Sequence, residues 1–161
     1  MVALLASLER PKMDAVRWTT PDQWHVTLAF LGNVPVSLID ALEAALGAAT
    51  ARVAAPPEAR LGPVTQRVGR SVLCVPVEGL DQIAAEVRRA LGALLPDAGL
   101  DRPFAGHLTL ARSRGHRTVP ASLGGALVEA GWRAREVSLV RSELDPKGAR
   151  YTTLATATVP S

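Results

Sequence analysis

The sequence predicts an α+β protein built from two similar halves. Three observations carry that expectation. A four-residue pattern, His-apolar-Thr-Leu, occurs twice, at 25–28 within WHVTLAFLG and at 107–110 within GHLTLARSR, in a chain with three histidines. The periodicities around the two copies follow one order: helix, histidine strand, helix, strand, strand. The strand-like runs come in turn-linked pairs, as antiparallel sheets do, which leaves the helices to cover one face of each sheet. The expected architecture is a single domain over 1–161 with two pseudo-symmetric lobes, halves near 1–79 and 80–161 that can exchange strands, and a site between them.

Each element has its own signal. Residues 2–9 read as a short amphipathic helix stopped near Pro11. WHVTLAFL alternates and is rich in β formers, so it reads as a strand, and GNVP turns the chain. SLIDALEAALGAATARVA places Leu38, Ile39, Leu42, Leu46 and Ala49 at helical spacing, with Ser37 as N-cap. After the break at APPEA, the runs ARLGPVTQ and RSVLCVPVE read as two strands around a turn at Gly69. The second half repeats this. GLDQIAAEVRRALGALL is a helix with Ile83, Val87, Leu91 and Leu94 on one stripe. FAGHLTLAR is the second histidine strand, PASLGGALVEAG a glycine-weakened helix, and WRAREVSLVRSEL and RYTTLATATV two strands joined at DPKG.

Composition narrows the class. No apolar run approaches the ~20 residues of a membrane-spanning helix. The opening MVALLASLERPK lacks a basic leader and a cleavage site, and Cys74 is the single cysteine, so the cytoplasm is the expected compartment. Cys74 lies in the apolar run SVLCVPV and reads as a small buried hydrophobe. The net charge of +3 rests on 16 arginines against 2 lysines. Arginine's planar fork suits phosphate, so an anionic partner is permitted rather than demanded.

The repeated pattern carries chemistry. In a strand, residues i and i+2 share a face, so His25 projects with Thr27 and His107 with Thr109, while their apolar neighbours face the core. Displacement at phosphorus places nucleophile and leaving oxygen roughly in line. It needs a base on one side and an acid on the other, and histidine's ordinary pKa of about 6.5 lets it serve as either. Two threonine hydroxyls can donate to the non-bridging oxygens. At this chain's threonine and leucine usage a given histidine would meet Thr and Leu at those offsets roughly once in a hundred, so the pair stands well above chance.

These residues resemble the two-histidine (2H) phosphoesterases, and within them the RNA 2',3'-cyclic phosphodiesterases, also called 2'-5' RNA ligases. RWTTPDQWHVTLAFLG is similar to the family's first motif block, FAGHLTLAR to its second, and SELDPKGARYTTLA to its closing hairpin, so the resemblance covers nearly the whole chain. It implies two lobes around a cleft. It also implies hydrolysis of an RNA-terminal 2',3'-cyclic phosphate to a 2'-phosphomonoester, with no metal and no cofactor. His25 would be the general acid on the leaving 3' oxygen and His107 the general base on water. Thr27 and Thr109 would hold the phosphate, Arg112 would contact the substrate, and Phe30 would stack on a base. Strict alternation puts Phe30 and Arg112 on the face away from the histidines, so each role requires a bulge or a strand end just before the residue. Gly106 stands where relatives commonly carry proline. By internal symmetry the first half lacks an opening strand, which predicts one upstream of Met1.

Other signals weigh less. Arg114, His116 and Arg117 lie in a polar loop that can border the site, and Trp18 and Trp24 flank the first motif as packing residues. Ligation to a 2'-5' linkage uses the same groups in reverse. A small cyclic nucleotide or an ADP-ribose cyclic phosphate is an alternative substrate. An RNA-binding module is the non-enzymatic reading, and it would be marked by loss of a motif histidine or threonine. A metal site on His25, His107 and His116 lacks a carboxylate or cysteine to complete it. The expected partners are RNA ends or nucleotides bearing a cyclic phosphate, with no membrane and no obligate protein partner.

Overall fold

The computed structural model describes Leu5, Leu8, residues 10–145 and 148–161. The helix expected at 2–9, apart from those two leucines, and the tip of the DPKG turn lie outside the described residues. The chain is α+β and forms two compact units, each drawing three stretches from along the sequence.

The first unit takes residues up to Thr27, Ala59–Glu78 and Ala105–Trp132. Its sheet contains β1 (Val16–Trp18), β2 (Glu58–Leu61), β3 (Gln66–Val68), β4 (Val72–Glu78), β5 (His107–Ser113) and β6 (Ala130–Arg133). The order is β1-β5-β4-β2-β6, with β3 also on β4. β4 and β5 form its centre: Leu73, Val75, Val77, Leu108, Leu110 and Ala111 are all buried. Fully burying an aliphatic side chain of this size stabilises by about 1.5–3 kcal/mol, so this alternating pair fixes the sheet's register.

The run ARLGPVTQ, expected as one strand, is divided. β2 ends at Gly62, whose φ of +125° and whose contact with Val128 leave no room for a side chain: a Cβ would lie 2.2 Å from the Val128 carbonyl oxygen. β3 then resumes at Gln66 and pairs with the start of β4 around the expected turn at Gly69. The helix expected over 120–131 is absent. Only a 3-10 turn forms, at Ala121–Leu123, and the following residues run extended beside 63–65, with Val64 bridging Leu127. Two glycines, Gly124 and Gly125, weaken the helix. The buried Thr65 hydroxyl then secures the alternative by donating to the Leu123 carbonyl and accepting from the Ala126 N–H.

Cys74 is buried in β4 as a free thiol, and desolvation raises its pKa above the ordinary thiol value. The thiolate is the reactive form, so the native protein should resist a maleimide at neutral pH and react once unfolded. Mass spectrometry after short labelling checks this.

The second unit takes Leu28–Glu58, Gly79–Phe104 and Arg133–Ser161. It holds α1 (Ile39–Thr50), α2 (Asp81–Gly92) and a hairpin of β7 (Glu136–Asp145) with β8 (Gly148–Thr158). α1 packs against both α2 and the hairpin. The expected stripes are the buried ones: Leu42, Leu46 and Ala49 on α1, and Ile83, Val87 and Leu91 on α2. Two details differ. Ser37 sits inside a 3-10 turn, Val36–Leu38, so it does not cap α1. Leu94 lies past the end of α2 and is exposed. Among the described residues no helix is long and apolar enough to cross a membrane.

Candidate active site

β5 carries the second motif as its alternation requires. Leu108 and Leu110 are buried, while His107 and Thr109 are half-buried on the opposite face. Along β4 their partners are Pro76 for His107, Val75 for Leu108 and Cys74 for Thr109. The first motif lies on the other side of β5. The strand expected over 24–31 is reduced there to a single antiparallel bridge, Val26 to Leu108. β1 occupies the rest of that edge, pairing with 111–113, and the chain passes into the second unit at Leu28.

One bridge is enough to set the geometry. With Val26 opposite Leu108, antiparallel alternation puts Thr27 beside His107 and His25 beside Thr109. The four side chains occupy the corners of a patch about 7 Å along the strands and about 5 Å across. The two histidines fall on one diagonal and the two threonines on the other. The sequence reading set one histidine on each lobe, facing across a cleft. In the structure all four residues belong to the first unit.

Both imidazoles are held in the same way. His25 Nδ1 lies 2.7 Å from the Gln23 carbonyl oxygen, and His107 Nδ1 lies 2.9 Å from that of Ala105. A carbonyl can only accept, so Nδ1 is the donor nitrogen in each ring. Gln23 is itself fixed in the 3-10 turn Pro21–Gln23, where its side-chain oxygen accepts from the Thr20 N–H.

A second set of bonds ties the first motif to β5. The buried Thr19 donates its hydroxyl to the Thr109 and Leu110 carbonyls, both at 2.9 Å, and its N–H to Leu110 at 2.8 Å. The same hydroxyl accepts from the Trp24 indole at 3.0 Å. The Arg10 guanidinium sits 5.0 Å over the Trp24 ring. Trp24, expected only to pack, thus tethers the residue before His25 to the strand bearing Thr109. Thr19 was not foreseen: alternation along VRWT would place it with Arg17 on the polar face, yet it is buried. Trp24→Phe keeps an aromatic ring and removes the donor. It should cost about 1 kcal/mol of stability, read by denaturant titration.

Arg112 meets the condition the sequence set. The β4–β5 register shifts between Leu73 and Cys74, so Leu110 is an extra residue in β5. Leu110 and Ala111 are buried in succession, and Arg112 emerges exposed opposite Val72, on the face of His107 and Thr109. Phe30 belongs to the second unit and is 75% exposed, so it is not a core residue. Arg114, His116 and Arg117 are exposed in the turn that follows β5.

A pocket of about 700 Å³ in the second unit is lined by Arg88, Leu95, Leu100, Arg102 and Phe104, among others. None of the candidate residues lines it, and the Arg88 guanidinium is used to hold the Leu100 and Arg102 carbonyls. Among the described residues, no three His, Cys, Asp or Glu side chains are placed to hold a metal ion.

Residues 12–146 match the model of the 2'-5' RNA ligase superfamily. The chain is 38% identical over 148 residues to a protein of Thermus thermophilus named RNA 2',3'-cyclic phosphodiesterase, covering 83% of this chain and 71% of that one. Among solved structures, TT0787 of Thermus thermophilus superposes with a TM-score of 0.70 at 32% identity, over 90% of this chain and 82% of that one. E. coli LigT complexed with 3'-AMP superposes with a TM-score of 0.59 at 25% identity, over 92% and 82%.

Proposed function

The chain belongs to the 2'-5' RNA ligase superfamily, the two-histidine phosphoesterases, and on that premise we propose that it hydrolyses RNA-terminal 2',3'-cyclic phosphates to 2'-phosphomonoesters. The observation that carries the reading is the patch of His25, Thr27, His107 and Thr109, with both imidazoles tethered through Nδ1.

The steps follow from that arrangement. The cyclic phosphate sits over the patch, and Thr27 and Thr109 donate to its non-bridging oxygens. His107 Nε2 takes a proton from water as the water oxygen bonds to phosphorus. The bond from phosphorus to the 3' oxygen breaks, and His25 Nε2 gives that oxygen its proton. The 2' ester bond stays intact, so the product is a 2'-phosphomonoester and a free 3' hydroxyl. No metal or cofactor takes part in this scheme. A 5' hydroxyl in place of water would give ligation by the same groups.

The test is ³¹P NMR of a short RNA ending in a 2',3'-cyclic phosphate, incubated with the protein and EDTA. The expected result is loss of the cyclic signal and growth of a 2'-phosphomonoester. An unchanged spectrum from folded protein would overturn hydrolysis of this substrate. Turnover only of nucleoside or ADP-ribose cyclic phosphates would replace RNA as the substrate. Binding without turnover of any of them would favour an RNA-binding module.

A further inference from the structure

The bulge in β5 is held by a side chain. Along a regular strand successive carbonyls point to opposite edges, so one hydroxyl does not reach two in a row. At Leu110 they converge. The Thr19 hydroxyl lies 2.9 Å from the Thr109 carbonyl oxygen and 2.9 Å from that of Leu110, and it shares its one hydrogen between them. The Thr19 N–H adds a bond to the Leu110 carbonyl at 2.8 Å. These bonds fill the gap between two backbone pairings on that edge: β1 ends at Trp18, opposite Ala111, and Val26 stands opposite Leu108.

The same oxygen reaches the other motif. It accepts from the Trp24 indole at 3.0 Å, and Trp24 is the residue before His25. A hydroxyl can donate and accept at once, which a valine of the same shape cannot. Among the described residues the first motif has one backbone bridge to β5, whereas His107 is held in the ladder of β4 and β5. His25 therefore depends on this side-chain link more than His107 does. We propose that Thr19 is a positioning residue: through Thr109 and Trp24 it fixes where His25 stands relative to His107 and the two threonines of the patch. Thr19 is buried, so it acts through those two residues rather than on the substrate. Its consequence for rate rests on the reading above. In-line displacement needs both imidazoles in place together, and a misplacement of about 1 Å costs on the order of 10²-fold.

Two variants test it: Thr19→Val, which keeps the shape and removes the hydroxyl, and Thr19→Ser, which keeps the hydroxyl. The substrate is the ApA dinucleotide ending in a 2',3'-cyclic phosphate, and each protein is assayed well below its melting temperature. Thr19→Val should lower kcat about tenfold or more and change KM less than about twofold. Thr19→Ser should stay within about threefold of the native kcat. A merely structural role would lower the melting temperature of Thr19→Val and leave kcat of the folded protein at its native value. That result would overturn the proposal, as would a Thr19→Ser variant no faster than Thr19→Val. If Thr19→Val does not fold, Trp24→Phe decides, since it cuts only the link to the first motif: a lowered kcat at native KM supports the proposal and a native kcat overturns it. Crystal structures of the native protein and of Thr19→Val, or of Trp24→Phe in its place, read the geometry without turnover. The expected result is a displaced His25 with the pairing of β4 and β5 retained. An unmoved His25 would overturn the proposal whatever the rates. If the native protein hydrolyses no cyclic phosphate, the catalytic reading fails, and the comparison of structures alone decides whether Thr19 places His25.

Discussion

His107→Ala is expected to lower turnover of an RNA 2',3'-cyclic phosphate by about 10²–10⁴-fold, and His25→Ala by a similar factor. Neither ring is part of the core: His25 is exposed and His107 half-buried, and each is held by a main-chain carbonyl two residues away. Melting temperatures should therefore change little, and the loss should fall on kcat. The pH profiles should separate the two roles. The native enzyme needs one imidazole without a proton and one with it, so its rate should be bell-shaped. A base fails when it is protonated, so His107→Ala should lose the limb that falls toward low pH. An acid fails when it is deprotonated, so His25→Ala should lose the limb that falls toward high pH. Residues that act as a unit are not additive, and the double variant should be little worse than either single one. A variant keeping more than a tenth of the native rate would remove that histidine from the mechanism. So would a profile that keeps both limbs.

The parts of this molecule legible in its sequence are those where side-chain period and burial agree. α1 and α2 bury the expected stripes because those positions have no alternative to the core. β5 follows strict alternation through Leu110, which makes His107 and Thr109 readable as a pair. The first motif is different. WHVTLAFL has the composition of a strand, yet only Val26 forms a bridge, because β1 takes the adjoining edge of β5. Pairing is a competition between segments, and a single segment's pattern does not report its rivals. The segment 120–131 shows the same limit. Its apolar residues permit a helix, but Thr65, more than fifty residues earlier, supplies the polar partners that hold it extended.

Arg112 marks the boundary most clearly. Alternation alone assigns it to the core face, and the family resemblance assigns it to the substrate. Both cannot hold unless one residue is inserted in register. The structure places that insertion at Leu110. A bulge is set by how two strands fit together over several residues, so no local signal in LTLAR announces it.

Leu108→Ala is expected to cost about 2–5 kcal/mol of stability, for reasons opposite to those at His107. Leu108 is 1% exposed and stands where the two motifs meet, opposite Val75 on one side and Val26 on the other. Truncation leaves a cavity directly beneath the patch of histidines and threonines, lined by a sheet that can only partly collapse. The melting temperature should fall by roughly 5–15 °C, at about 2–4 °C per kcal/mol for a chain of this size. Well below that temperature the variant should keep far more activity than His107→Ala, because the four reacting side chains are all present. An unchanged melting temperature would mean that Leu108 does not anchor the sheet. A loss of activity as large as that of His107→Ala, in protein shown to be folded, would mean that the patch depends on its underlying packing as much as on its own groups. Adjacent residues of one strand would then differ in the face they serve but not in their consequence for the chemistry, and the site's precision would have to be assigned to the core.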